Sequence, residues 1–185
     1  ALADELRGGG TEVAVEVVDL TDEPAATAAV TRLGERLGRV DLLHFNPSAF
    51  REKDPLELSV DDLLRDVALG VGALLTAVQA ARPWLHPGAR VTATGSAAAD
   101  WPWHRAASLG VQKAGLRNLV VSLDATLREH GVRAVSVTVD GVLAADGPFA
   151  PDRVAETIHA AVTQDETGWR TELVHRPEDP TRGGT

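Results

Sequence analysis

The sequence predicts an α/β fold: a doubly wound parallel sheet with helices on both faces. Strand-like runs alternate with helix-like stretches five times along the chain. The strand-like runs are apolar almost throughout instead of alternating with polar residues, which is the pattern of strands buried on both sides. A length of 185 residues with 44% apolar content is enough for one sizeable core.

Each element has a local reason. Residues 1–7 read as the end of a helix, closed by Gly8-Gly9-Gly10, a run that can adopt the left-handed cap conformation. Residues 11–18 are Val-rich and alternate, which predicts a strand. Thr21-Asp22-Glu23-Pro24 then supplies a capping side chain and an early proline for a helix to Leu37, stopped by Gly38. Residues 40–45 form a short apolar strand, broken by Asn46-Pro47-Ser48. The loop that follows lasts to Ser59, which with Asp62 resembles a capping box for a long helix ending near Pro83. Residues 89–94 are the next strand, 95–105 a loop, and 106–130 a helix with Gly131 just beyond it. Residues 132–139 are a strand and 140–150 a loop bearing Gly and Pro, after which Pro151 opens a helix to Val162. Residues 170–175 make a last strand. The expected organisation is one domain over 1–175 and a flexible tail over 176–185.

Composition removes several function classes. The chain has 18 basic and 27 acidic side chains, a formal charge of −9, which makes it a poor partner for nucleic-acid phosphates or anionic membranes. It has no Cys, so disulfides, thiolate nucleophiles and cysteine metal sites are absent. The histidines lack metal-ligand spacing, and no metal is predicted. No apolar run is expected to reach the length of a bilayer-spanning helix, and no leader pattern is visible, so a cytoplasmic location is expected.

In open α/β sheets ligands bind beyond the carboxyl ends of the strands. That directs attention to residues 19–22, 46–48, 95–99 and 140–145, although Asp, Asn, Ser and Gly also serve turns and caps. Together these segments have an order. One strand ends in Asp19-Leu20-Thr21-Asp22, the next near Asn46 and the next in Ser96; a helix then carries Lys113, and a strand ends in Asp140-Gly141. This resembles the short-chain dehydrogenase/reductase (SDR) family, over residues 1 to about 175.

The resemblance implies a Rossmann-like fold and hydride transfer between NAD or NADP and a small carbonyl or alcohol substrate. It assigns cofactor contacts to Asp19, Leu20, Asn46, Pro47, Lys113, Gly141 and Val142, and catalytic roles to Ser96 and Lys113. It also implies a homodimer or homotetramer built on the two long helices, where Ala68, Gly70, Gly72, Ala73, Ala114 and Gly115 permit close approach. In the family strand order 3-2-1-4-5-6, with a seventh strand at the far edge, the first strand read here would be the third. The N-terminal βαβ portion, with its Gly-rich cofactor loop, is therefore expected in about 50 further residues outside the given chain. Gly8-Gly9-Gly10 is no substitute, because it follows a helix where that loop must precede one.

The departures from the family are specific. Its catalytic Tyr belongs thirteen residues after Ser96 and four before Lys113, where this chain has Leu109, and the chain has no Tyr at all. The supporting Asn of the long helix is replaced by Gly70, the Pro before Gly141 by Asp140, and a Thr that contacts the nicotinamide amide by Ala145. Of the Asn-Ser-Tyr-Lys tetrad, Ser96 and Lys113 remain. Lys113 has independent support, because only Lys53 and Lys113 among the 18 basic side chains are lysines. His104, or a water held by Ser96, is the expected proton source, and Trp101 and Trp103 the expected walls of a substrate pocket. The competing reading is an SDR-fold binding or regulatory protein, or a non-redox enzyme on the same scaffold. A serine hydrolase is disfavoured, since Thr94-Gly95-Ser96-Ala97-Ala98 lacks the flanking glycines of a nucleophile elbow.

Overall fold

The computed structural model describes residues 2–177. In chain order it contains α1 (Leu2–Gly8), α2 (Glu23–Leu37), β1 (Val40–Phe45), α3 (Val60–Val67), α4 (Ala73–Ala81), β2 (Leu85–Ser96), α5 (Ala107–Leu127), β3 (Arg133–Val139), α6 (Pro151–Val162) and β4 (Glu172–His175). The strands form one sheet in the order β1-β2-β3-β4, every pair parallel. The α/β class and the helices on both faces are as the sequence predicts. Of the expected tail, residues 178–185 lie outside the described residues.

Local capping chemistry sets the helix ends. Asp22 accepts from the Ala25 amide at the start of α2, and Ser59 accepts from the Asp62 amide at the start of α3. Gly38 and Gly131 end their helices with φ of 74° and 72°, where a side chain would be strained.

The expected strand over residues 11–18 does not form. That segment forms no regular element and pairs with no strand, and Val15 and Val17 are exposed. Its polar residues turn to α2 instead: Glu16 pairs with Arg32 at 2.6 Å and Glu12 with Arg36 at 3.5 Å. Strand propensity alone cannot hold a strand; the ladder supplies the backbone bonds, and the first strand of this sheet is β1.

Alternation along β3 divides the core between the two faces. Val132, just before the strand, and Ala134 pack with Val91, Ala93, Leu116 and Val120 on the face covered by α4 and α5. Val135 and Val137 face the other way and pack with Ala161 and Ile158 of α6. One π turn, Ala68–Gly72, joins α3 to α4, giving a helix continuous over Val60–Trp84. Contrary to the sequence expectation, this helix is long and apolar enough, by length and composition, to cross a membrane. Its apolar side is used within the fold, with Leu74 and Val78 buried in the core. The small residues offered for contact between subunits are partly consumed inside the chain as well. A Cβ on Gly115 would lie 3.2 Å from Val71, and one on Gly70 would lie 2.3 Å from Gln112.

Candidate functional site

The carboxyl ends of β1, β2 and β3 open into a cavity of about 400 Å³. Asn46 and Ser48 reach it from the loop after β1, Ser96 from the end of β2, Leu109 and Lys113 from α5, and Gly141 from the loop after β3. Much of the remaining wall is apolar: Val139, Leu143, Val154 and Ile158. Four of the residues picked from the sequence, Asn46, Ser96, Lys113 and Gly141, thus come together from four separate segments.

Ser96 is extended, and its hydroxyl accepts from the Ala98 amide at 3.2 Å, which caps a short 3-10 turn, Ala97–Ala99. With one lone pair occupied by that amide, the hydroxyl proton is free to be donated toward the cavity. Lys113 is buried, and its Nζ donates to the Thr94 carbonyl at 2.8 Å. Desolvation lowers its pKa to about 8. Leu109 lies one helical turn before Lys113 on the same face, so the position one turn ahead of the ammonium presents hydrocarbon.

Two glycines shape the walls. A Cβ on Gly110 would stand 2.9 Å from Pro102 and 3.0 Å from the Ala98 carbonyl, so its absence lets the loop after Ser96 lie against α5. A Cβ on Gly141 would fall 2.1 Å from the Phe149 ring, which folds back over the start of the loop. Phe149 in turn meets His175 edge-on at 5.5 Å, and His175 binds the Pro148 carbonyl at 2.8 Å and the Thr157 hydroxyl at 2.6 Å. Gly141→Ala is therefore expected to displace the ring, at a cost of about 1 kcal/mol or less because the ring tip lies in an exposed loop and can move. Thermal denaturation of Gly141→Ala beside Gly141→Ala/Phe149→Ala checks this, the second substitution removing the clash.

The loop after β1 is held by charge. Asp66 is buried and accepts from Arg51 at 3.0 and 3.1 Å and from the Ser108 hydroxyl at 2.7 Å. The Arg51 bonds, chiefly, hold its carboxyl below the usual range. Asp62 pairs with Arg51 and Lys53 at 3.2 and 2.8 Å.

Other residues picked from the sequence lie elsewhere. His104 lines a separate polar recess with Glu52, Lys53, Asp54, Glu57 and Arg105. Trp101 and Trp103 are exposed, and Arg105 stacks over Trp103 at 5.5 Å. Asp19 closes its own turn, accepting from the Thr21 amide and hydroxyl at 2.9 and 2.7 Å, while Leu20 packs against the core. Val142 is 85% exposed, and Pro47 does not line the cavity. Conversely, His44 lines the cavity and meets the Thr94 hydroxyl at 3.5 Å. Desolvation lowers the pKa of its imidazole. The sequence carried a signal for it, since His44 interrupts an otherwise apolar strand end two residues before Asn46.

A family model described as enoyl-(acyl carrier protein) reductase matches residues 1–173. The structure superposes on a dehydrogenase/reductase from Sinorhizobium meliloti 1021 with a TM-score of 0.83 at 21% identity, over 94% of this chain and 77% of that one. The chain belongs to the short-chain dehydrogenase/reductase family. Two further SDR structures are complexes with NADP. A metagenomic short-chain oxidoreductase gives a TM-score of 0.81 at 23% identity, covering 95% of this chain and 79% of that one. A short-chain dehydrogenase from Burkholderia cenocepacia J2315 gives 0.82 at 25%, covering 94% and 79%. No curated protein matches this SDR chain.

The cavity fits one end of a nicotinamide dinucleotide. The Lys113 ammonium and the Asn46 amide, both on the cavity wall, are suited to ribose hydroxyls. Among the described residues, Gly8-Gly9-Gly10 ends α1 and no helix begins before Glu23, so it offers no helix N-terminus for a pyrophosphate.

Proposed function

We propose that this chain is an NAD(P)-dependent oxidoreductase acting on a small, largely apolar carbonyl or alcohol substrate, with a catalytic tetrad reduced to Ser96 and Lys113. The observation that carries this reading is the convergence of Asn46, Ser96, Lys113 and Gly141 on one apolar cavity at the strand ends. When bound, the nicotinamide supplies or takes up the hydride. Ser96 donates its free hydroxyl proton as a hydrogen bond to the substrate oxygen and orients it. Lys113, with its pKa brought to about 8, holds ribose hydroxyls and supplies a proton through water held at Ser96. His104 is not part of this arrangement, because it opens into the other recess.

A specific observation favours a second reading. Leu109 lines the cavity one turn before Lys113 with a side chain that cannot exchange a proton, which suits an SDR-fold binding module that has left redox chemistry. Assembly as a homo-oligomer is proposed with either reading. The exposed Leu75 lines an apolar groove between α4 and α5 together with Leu119, Leu123 and Leu127.

Calorimetric titration of the full-length encoded protein with NADH and NADPH tests the proposal. Saturable binding that weakens in Lys113→Met is expected. A folded protein that binds neither dinucleotide overturns the oxidoreductase reading and leaves the binding module.

A further inference from the structure

Gln112 immediately precedes Lys113 in α5 and is fully buried. Its carboxamide grips one residue of the loop after β1 at both ends: Oε1 accepts from the Ala49 amide at 3.1 Å, and Nε2 donates to the Ala49 carbonyl at 2.9 Å. Oε1 also accepts from the Ser48 hydroxyl at 3.4 Å. This paired bond imitates a strand ladder at a place where no strand runs. The space for it comes from Gly70, in the π turn of the facing helix. A Cβ there would lie 2.3 Å from Oε1 and 2.9 Å from the Gln112 Cβ. Without a side chain at 70, the carboxamide of α5 fills the gap between the two long helices and reaches the loop beyond.

We propose that Gln112 is a positioning residue. Its carboxamide, admitted by Gly70, fixes the loop carrying Asn46 and Ser48 at a set distance from the neighbouring Lys113 and so assembles the cavity from two elements that no strand connects. Gly70 and Gln112 then act as one unit. The inference rests on the dinucleotide reading for one of its two readouts only.

The experiment is a double-mutant cycle on the full chain, with Gln112→Ala, Gly70→Ala and the double variant, read by Ala49 amide exchange and by NADH and NADPH affinity. Gln112→Ala frees the Ala49 amide and is expected to speed its exchange about tenfold or more and to weaken dinucleotide binding about tenfold. Gly70→Ala improves helix propensity yet displaces the carboxamide, so the same losses are expected, and the double variant is no worse than Gln112→Ala. Gln112→Glu keeps the acceptor and loses the donor to the Ala49 carbonyl. Its affinity is expected to recover as pH falls and the carboxyl protonates, a pH dependence beyond any shown by the wild-type chain. Ala49 exchange within twofold of wild type in Gln112→Ala overturns the proposal, as does fast exchange with unchanged affinity. If the wild-type full-length encoded protein binds no dinucleotide, the functional reading fails and the exchange cycle alone decides the role of Gln112: additive effects at the two positions overturn it, and non-additive ones support it.

Discussion

Leu109→Tyr is expected to raise the rate of carbonyl reduction by about 10²-fold or more, the usual worth of a positioned general acid. Leu109 lies on the cavity wall one turn before Lys113, and the cavity of about 400 Å³ can take the ring. A phenol there would stand beside the Lys113 ammonium, which lowers its pKa by favouring the phenolate. The reaction needs the phenol protonated to donate to the substrate oxygen, so the gain should fade as pH rises through the phenol pKa. The measurement is NAD(P)H oxidation over a panel of small aldehydes and ketones, with Leu109→Phe as the control that adds the ring without the hydroxyl. A gain in Tyr and none in Phe makes proton supply the limiting function in the native chain. Unchanged turnover with intact dinucleotide binding would move the balance to the binding-module reading, because the geometry would then hold a cofactor without presenting a substrate to it.

How much of this was legible in the sequence follows from the range of the forces involved. Asp22, Ser59 and Pro151 mark helix starts through bonds or ring geometry within a few residues, and those starts are observed within a residue of expectation. The strand over residues 11–18 failed because pairing is not local: Val-rich alternation describes a surface that would fit a sheet, and the chain there met α2 instead. Within the site, Asn46, Ser96, Lys113 and Gly141 were legible because each follows a strand or faces one, so topology alone brings them to one end of the sheet. His104 was not, since the loop from Ala97 is laid against α5 by the close fit of Gly110 and Pro102, and Arg105 is drawn to Glu52 at 2.5 Å. Gln112 carried a faint signal. It follows Ser108 by four residues on a face of α5 that also carries Leu116, a polar pair in a buried register, but its partner Ala49 lies 63 residues away and no spacing rule reaches that far. Gly70 read as the loss of an asparagine; its contact with Gln112 makes it half of a packing pair.

Lys113→Met should make the protein more stable and less able to bind a dinucleotide. The folded pKa of Lys113 is lowered from 10.5 to about 8 by desolvation, and the side chain is 5% exposed. Because the folded state disfavours the charge, the unfolded chain binds the proton first as pH falls through 10.5, and stability drops until the folded state also protonates near 8. Below that the cost is constant, about 3 kcal/mol from the size of the shift. Methionine removes the buried charge at similar volume and gives up the bond to the Thr94 carbonyl, worth about 1 kcal/mol. The net expectation at pH 7 is a gain of about 1–3 kcal/mol, or several degrees in Tm, that disappears above about pH 10. Thermal unfolding of both proteins from pH 7 to pH 10.5, with dinucleotide titration alongside, measures the two effects together. Since the chain holds only two lysines, ¹³C-lysine NMR assigns the midpoint near 8 directly, Lys53 being the sole other resonance. A variant less stable than wild type at pH 7 would mean that the ammonium is better paired than its position implies. The expected result would give Lys113 a net folding cost, so that the reason for a buried ammonium at this position lies in what it can bind and not in what it holds together.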